Sequence, residues 1–210
     1  MPFVRAAGQD IAKRNLERIF EGVTIINFNY DRCLEEFLRH WLMSEYAIRD
    51  YEAHALVETL NMLRPYGSIG PLPSKKHVNG IPFGENLTSS HVGELAGRIK
   101  TFTEQVVDDD ELKEIRSAVA EAETIVFLGF GFHDQNMKLL TPPRSTCASR
   151  VFGTALGMSS PVANLMKDQI TKMLAQKGGV RIPATDPFIM VDPSLTCLNL
   201  FEDYRPLLTA

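Results

Sequence analysis

Two short apolar runs stop abruptly at polar or glycine residues and pass straight into helical patterns. They constrain the fold more than any other feature of the chain. The first reads Ile25-Ile26-Asn27-Phe28-Asn29-Tyr30-Asp31. The second reads Ile125-Val126-Phe127-Leu128-Gly129-Phe130-Gly131-Phe132. Apolar, β-branched runs of this kind suit strands buried on both faces of a parallel sheet. Ligands of open α/β sheets gather at the carboxyl ends of such strands. Chemistry is therefore sought first at these two edges.

The pattern around the runs predicts alternating helices and strands. Residues 10–21 read as a helix ended by Gly22, and Val23 to Phe28 as a strand. Asp31 then caps a helix in which Leu34, Phe37, Leu38, Trp41 and Leu42 share one face. A second helix is expected from about Ile48 to Leu60. Met62 to Leu72, with two prolines and two glycines, reads as a turn-rich connection. Residues 73–90 stay loop-like, with Asn79-Gly80 a hairpin turn, and helices resume near His91. Further on, a helix over 110–123, a strand over 124–129 and a short helix over 133–140 follow in order. A strand over 151–156 comes next. Then follow a helix capped by Ser160, opened by Pro161 and stopped by Gly178-Gly179, and a strand over 188–191. This alternation predicts one α/β domain over residues 1–210, a Rossmann-like parallel sheet flanked by helices. The stretch 64–90 is expected as an insertion over the strand ends.

Composition narrows the function. Of 210 residues, 44% are hydrophobic and 23% charged, an ordinary globular balance. A net charge of -4 gives no basic field for nucleic acid or an anionic membrane. No apolar run approaches the roughly 20 residues of a membrane span, and Met1-Pro2-Phe3-Val4-Arg5 does not read as a signal peptide. Three scattered cysteines, Cys33, Cys147 and Cys197, argue against a disulfide framework or a zinc ribbon. A reducing cytoplasm is the simplest setting. No histidine has a partner at metal-ligand spacing, so no metal is expected.

The candidate residues lie at the strand ends. In an extended segment, residues i and i+2 point the same way. Asn29 and Asp31 can thus face one crevice while Phe28 and Tyr30 face away. The plainer alternative makes Asp31 a helix cap and Asn29 a turn residue. Gly129 and Gly131, on either side of Phe130, let a ligand approach the backbone or simply relieve crowding. His133 opens the next helix, a place where such residues are structural. Gly153, Thr154 and Gly157 make another small-residue edge, followed by Ser159 and Ser160 at a helix start, where amides attract anions or are capped. In the glycine-rich loop, Tyr66 can stack on a base or anchor the loop, and Arg64 can meet a phosphate.

Three segments, in order, resemble the sirtuin-like domains of bacterial multidomain and defence proteins. Phe28-Asn29-Tyr30-Asp31 is similar to the Asn-x-Asp motif after a buried strand. Tyr66-Gly67-Ser68-Ile69-Gly70 falls where the family carries His-Gly. Leu128-Gly129-Phe130-Gly131-Phe132, with His133-Asp134-Gln135-Asn136 after it, resembles the later glycine-rich edge and polar turn. The match spans about residues 20–160. The resemblance implies a Rossmann-like sheet binding NAD or a related adenine nucleotide. It also implies cleavage of NAD at the nicotinamide–ribose bond and a role in anti-phage defence. Asn29 would face the nicotinamide ribose and Asp31 the carboxamide, with Phe28, Gly67 and Ser68 beside them. Gly129, Phe130 and Gly131 would line the ribose and phosphate path, and Gly153 and Thr154 the adenosine half.

Two departures qualify what the resemblance implies. Tyr66 stands where the family has its general base, and an unperturbed tyrosine titrates near 10 against about 6.5 for histidine. No glycine-rich strand–turn–helix precedes residue 23, so the domain is expected to be incomplete at its N-terminus, with homo-oligomerisation one remedy for an exposed strand edge. The four-cysteine zinc module of protein deacylases is missing, which argues against that activity. The alternative to NAD hydrolysis is a catalytically inactive nucleotide-binding or assembly module.

Overall fold

The computed structural model describes residues 13–86, 89–99, 110–175 and 186–208. They form a mixed α/β protein with two small parallel sheets flanked by helices. The chain divides into two compact units, one within residues 7–109 and one within 110–210.

In the first unit, a 3-10 turn, Lys13–Arg18, replaces the regular helix expected over 10–21. It is broken at Asn15 (φ -122, ψ 24), and residues 10–12 lie outside the described part. Its inward side survives, with Leu16, Ile19 and Phe20 buried. Strand β1, Thr24–Ile26, is followed by helices α1, Cys33–Tyr46, and α2, Asp50–Val57. Strand β2, Asn61–Leu63, and helix α3, Ser89–Ala96, complete the unit. The strands pair in parallel from Thr24 against Asn61 to Ile26 against Leu63. A parallel pair needs a long crossover, and α1 and α2 supply it.

The structure corrects two expectations here. β1 is half the length read from sequence and is not buried on both faces: Thr24 is exposed, and Ile25 and Ile26 are half-buried. Among the described residues it has one strand neighbour, β2, so only part of its surface is covered. Met62 and Leu63, read as part of a loop, belong to β2. The turn at Asn79-Gly80 exists, closed by a Gly80 N–H donated to the His77 carbonyl at 2.9 Å, but no strands flank it among the described residues.

Helix α1 follows its sequence pattern in part: Leu38 and Leu42 are fully buried, whereas Phe37, expected on the same face, is 40% exposed, and Ala53 of α2 is as buried as the two leucines. Arg39 ties the two helices together. It donates to Glu36 at 2.6 Å and to Asp50, the first residue of α2. At the start of α2 the Glu52 carboxylate reaches back to accept the Arg49 N–H at 2.8 Å, which satisfies one of the free donors of a helix start.

In the second unit, α4 (Asp110–Glu121), β3 (Thr124–Phe127), α5 (Asp134–Leu140) and β4 (Arg150–Thr154) come in order. Then come α6 (Ser160–Leu174), β5 (Phe188–Asp192), α7 (Cys197–Asp203) and α8 (Arg205–Leu208). The three strands lie in chain order and are all parallel. β3 ends at Phe127, two residues earlier than expected, because Gly129 turns to φ +58. β4 likewise ends at Thr154 rather than Leu156. Ser159, not Ser160, is the cap residue of α6, with Pro161 in its first turn. Gly178-Gly179 lie outside the described residues. Phe152, fully buried, centres a cluster with Met190, Leu195, Leu200 and Phe201.

Truncating Phe152 removes the centre of this cluster. Phe152→Ala is expected to lower stability by about 3–5 kcal/mol, read from denaturant unfolding; a loss below about 1 kcal/mol would contradict this packing. The Arg39 bond holds the Glu36 carboxyl below its usual pKa, against the opposing effect of burial and with help from His40. A carboxyl lowered on folding stabilises above its unfolded pKa near 4.3. That stability is lost as pH falls through the lower folded value. Glu36→Gln is expected to flatten the acid limb of a stability–pH curve below about pH 5; curves that stay parallel would refute the linkage.

Candidate functional site

The chain leaves β1 through a corner, residues 27–33, whose backbone is wired at almost every position. The Asn27 side-chain oxygen accepts the Asn29 N–H at 3.0 Å, and the Asp31 carboxylate accepts the Cys33 N–H at 2.9 Å. Side chains of this type hold turns by bonding their own backbone two residues on. Asp31 therefore serves the start of α1, but from one residue before the cap position, which Arg32 occupies. The Asn29 side chain is exposed and Asp31 is half-buried. The Asp31 carboxylate also raises the Cys33 thiol pKa, mainly through a hydrogen bond, which leaves that thiol a weaker nucleophile.

Arg64, just after β2, closes the corner from the other side. It is buried (8% exposed), and its Nη1 donates to the carbonyls of Asn29 at 2.6 Å and Asp31 at 2.7 Å. Its Nη2 meets the Glu35 carboxylate at 2.5 Å. The intervening carbonyl, of Tyr30, accepts the Ile69 N–H at 3.3 Å. Sequence reading aimed Arg64 at a phosphate. The structure instead turns it inward, because a buried guanidinium needs acceptors and three of them converge here. Arg32, 4% exposed, plays a matching part for the following loop and donates to the carbonyls of Pro71, Ile81 and Pro82.

Sequence reasoning missed Arg32 and Glu35. The available signal was a charged residue on an inward stripe, since Glu35 precedes the buried Leu38 and Leu42 by three and seven positions.

The segment 66–70 meets the same corner. The Tyr66 ring packs edge-on against Phe28 at 5.8 Å. Burial raises the Tyr66 hydroxyl pKa above its usual value. Gly67 sits at φ +72 in a bridge with Ile99, and a Cβ there would overlap the Arg98 carbonyl oxygen. The Ser68 hydroxyl accepts the Gly70 N–H at 3.2 Å.

The remaining candidates belong to the second unit. Beyond β3 the Gly129 N–H donates to the Thr154 hydroxyl at 3.0 Å, tying the ends of β3 and β4 together. Phe127, Phe130 and Phe132 form a three-ring cluster with centroids 5.1–5.3 Å apart. Phe132 is buried at φ +51, a costly conformation for a bulky residue. Added side-chain atoms at Gly131 would crowd the His133 ring, and at Gly153 they would touch Val191 and Phe132, whereas the space at Gly129 is open. The structure thus brings together Phe28, Asn29, Asp31, Tyr66, Gly67 and Ser68 in one unit, and Gly129, Phe130, Gly131, Gly153 and Thr154 in the other.

A pocket of about 240 Å³ opens beside Glu35 and is lined also by Arg39, His54, Glu58, Lys76 and His77. Burial disfavours the Glu58 carboxylate, yet the Ser74 hydroxyl and Lys76, 3.5 Å away, outweigh it and lower the pKa. Acids and bases balance around this pocket. Among the described residues, no three His, Cys, Asp or Glu side chains converge as a metal would require, and no helix is long and apolar enough to cross a membrane. The three cysteines are free and exposed. No protein-family model, curated protein or solved structure matches this chain.

The close approach at Gly67 makes a direct test. Gly67→Ala is expected to cost about 2 kcal/mol or more, combining a left-handed backbone with a displaced 98–99 segment. Thermal unfolding reads it, and an unchanged midpoint would show that the approach is not as drawn.

Proposed function

We propose that this chain is a sirtuin-like, Rossmann-like NAD-binding protein that hydrolyses NAD at the nicotinamide–ribose bond. One observation carries the reading. Two segments far apart in sequence, 27–31 and 66–70, meet at the carboxyl ends of the parallel pair β1 and β2. That is the place where open α/β sheets take nucleotides. They are also two of the three segments that carry the sirtuin-like resemblance. The ligand is placed on the first unit alone.

In this reaction the bond between the ribose C1′ and the nicotinamide nitrogen breaks. Its electron pair leaves with nicotinamide, and positive charge builds on the ribose. Water adds to C1′ and gives up a proton, so the products are nicotinamide, ADP-ribose and a proton. Asn29 offers an exposed carboxamide to the ribose hydroxyls. Asp31 offers a carboxylate, one oxygen of which is engaged by the Cys33 N–H, to the nicotinamide amide or to the developing charge. Tyr66, with its pKa raised, stays protonated at neutral pH. It serves as a donor or a stacking surface rather than a base.

That same observation favours a second reading, in which NAD or ADP-ribose is bound but not turned over. Purified protein is incubated with NAD, nicotinamide and ADP-ribose are separated by chromatography, and binding is followed by calorimetry. Hydrolysis is the expected outcome, with kcat lowered about 100-fold in Asn29→Ala, the scale of one lost transition-state contact. Binding without nicotinamide release supports the second reading. Failure to bind either NAD or ADP-ribose rejects both.

A further inference from the structure

We propose that Arg64 is the positioning residue that sets the ligand-facing geometry of the Asn29–Asp31 corner, with Glu35 holding its guanidinium in place. The assignment of that corner to a nucleotide rests on the function proposed above. The positioning role rests on geometry alone.

Residues 28–32 of the corner lie in no strand or helix, so beyond the Asn27 N–H, which the Leu63 carbonyl accepts at 2.9 Å, no ladder of hydrogen bonds fixes their path. What fixes it is a set of contacts from outside. One nitrogen of Arg64 takes the carbonyls of Asn29 and Asp31, two residues apart, and so sets their direction. The carbonyl between them is taken by Ile69. Three consecutive carbonyls are thereby committed, and with them the path of the chain that carries the Asn29 side chain. That side chain is exposed and has no hydrogen-bond partner among the described residues. A polar side chain left to solvent on a backbone held this tightly is preorganised for a ligand, because little ordering remains to be done on binding.

The planar, forked guanidinium is what the arrangement uses. Lysine keeps the charge but is a point donor on a flexible stem and cannot reproduce the fork. Glu35, joined to the other terminal nitrogen at 2.5 Å, orients that fork and neutralises it in a buried setting. Glu35 also lines the charged pocket, so it connects the corner to that neighbouring surface through its bond to Arg64.

The test compares the wild-type 210-residue chain with Arg64→Lys and Glu35→Gln. Hydrogen–deuterium exchange is read on peptides covering residues 27–33, with peptides of α6 in the other unit as the internal reference. Arg64→Lys is expected to speed exchange across 27–33 by about tenfold or more, the scale of one lost charge-assisted hydrogen bond, and to leave α6 unchanged. Glu35→Gln, which keeps the fork and loses the counter-charge, is expected to give a smaller change at the same peptides. Calorimetry with ADP-ribose as the probe is run in parallel, and Arg64→Lys is expected to weaken binding about tenfold.

Unchanged exchange at 27–33 in a folded Arg64→Lys protein overturns the positioning role. If Arg64→Lys does not fold, Glu35→Gln decides: faster exchange confined to 27–33 supports the proposal, and no change there rejects it. A wild type that ignores ADP-ribose removes the nucleotide reading, while the exchange comparison still decides the role of Arg64.

Discussion

A buried positive charge organises the first unit. Arg64 sits almost out of solvent, where an uncompensated guanidinium would be costly to place. The fold answers that cost by bending two carbonyls and one carboxylate toward it. The bend is the corner between β1 and α1, and the segment after β2 is drawn in with it. Arg32 repeats the device for residues 71–82, where three more carbonyls converge on a second buried guanidinium. Burial lowers the Arg32 pKa, Glu35 and Glu36 oppose that, and nearby Arg64 adds to it. Two like charges can be held this near only because backbone oxygens and the acids of α1 surround them.

The second unit reaches an irregular strand end by other means. Its strand edge is shaped by aromatic packing and glycine freedom rather than by charge. Phe127, Phe130 and Phe132 pack on one another, and that packing holds Phe132 at a positive φ. Gly129 supplies the turn, and the Thr154 hydroxyl occupies its amide. Several glycines that suggest a ligand path from sequence also have packing duties, as Gly153 does beneath Val191 and Phe132. Such duties and a ligand role are compatible, since both ask for a backbone that other groups can approach closely.

Elements with a sustained period were legible. α1 shows its inward stripe in the half-buried Leu34 and the buried Leu38 and Leu42, and α6 announces itself by Ser160-Pro161 and the spacing of Met166, Ile170, Met173 and Leu174. β2 was not legible, because three residues, Asn61-Met62-Leu63, carry no alternation and no β-branched side chain. Only the neighbouring β1 turns them into a strand. The corner was half legible: Asn29 and Asp31 stood out as polar residues at a strand end, but their tie to Arg64, a partner more than thirty residues away, has no local signature.

Local chemistry written along the chain decided which segments become helices, which apolar runs become strands, and where polar residues interrupt them. Those features depend on side-chain size, branching and spacing within a few residues, and each segment carries them by itself. Tertiary structure alone decided where the charges of Arg32, Arg64 and Glu35 go, how short β1 and β2 are, and which glycines are pressed against neighbouring backbone. Burial and hydrogen-bond satisfaction are properties of the surroundings, and those surroundings come from residues distant in the chain.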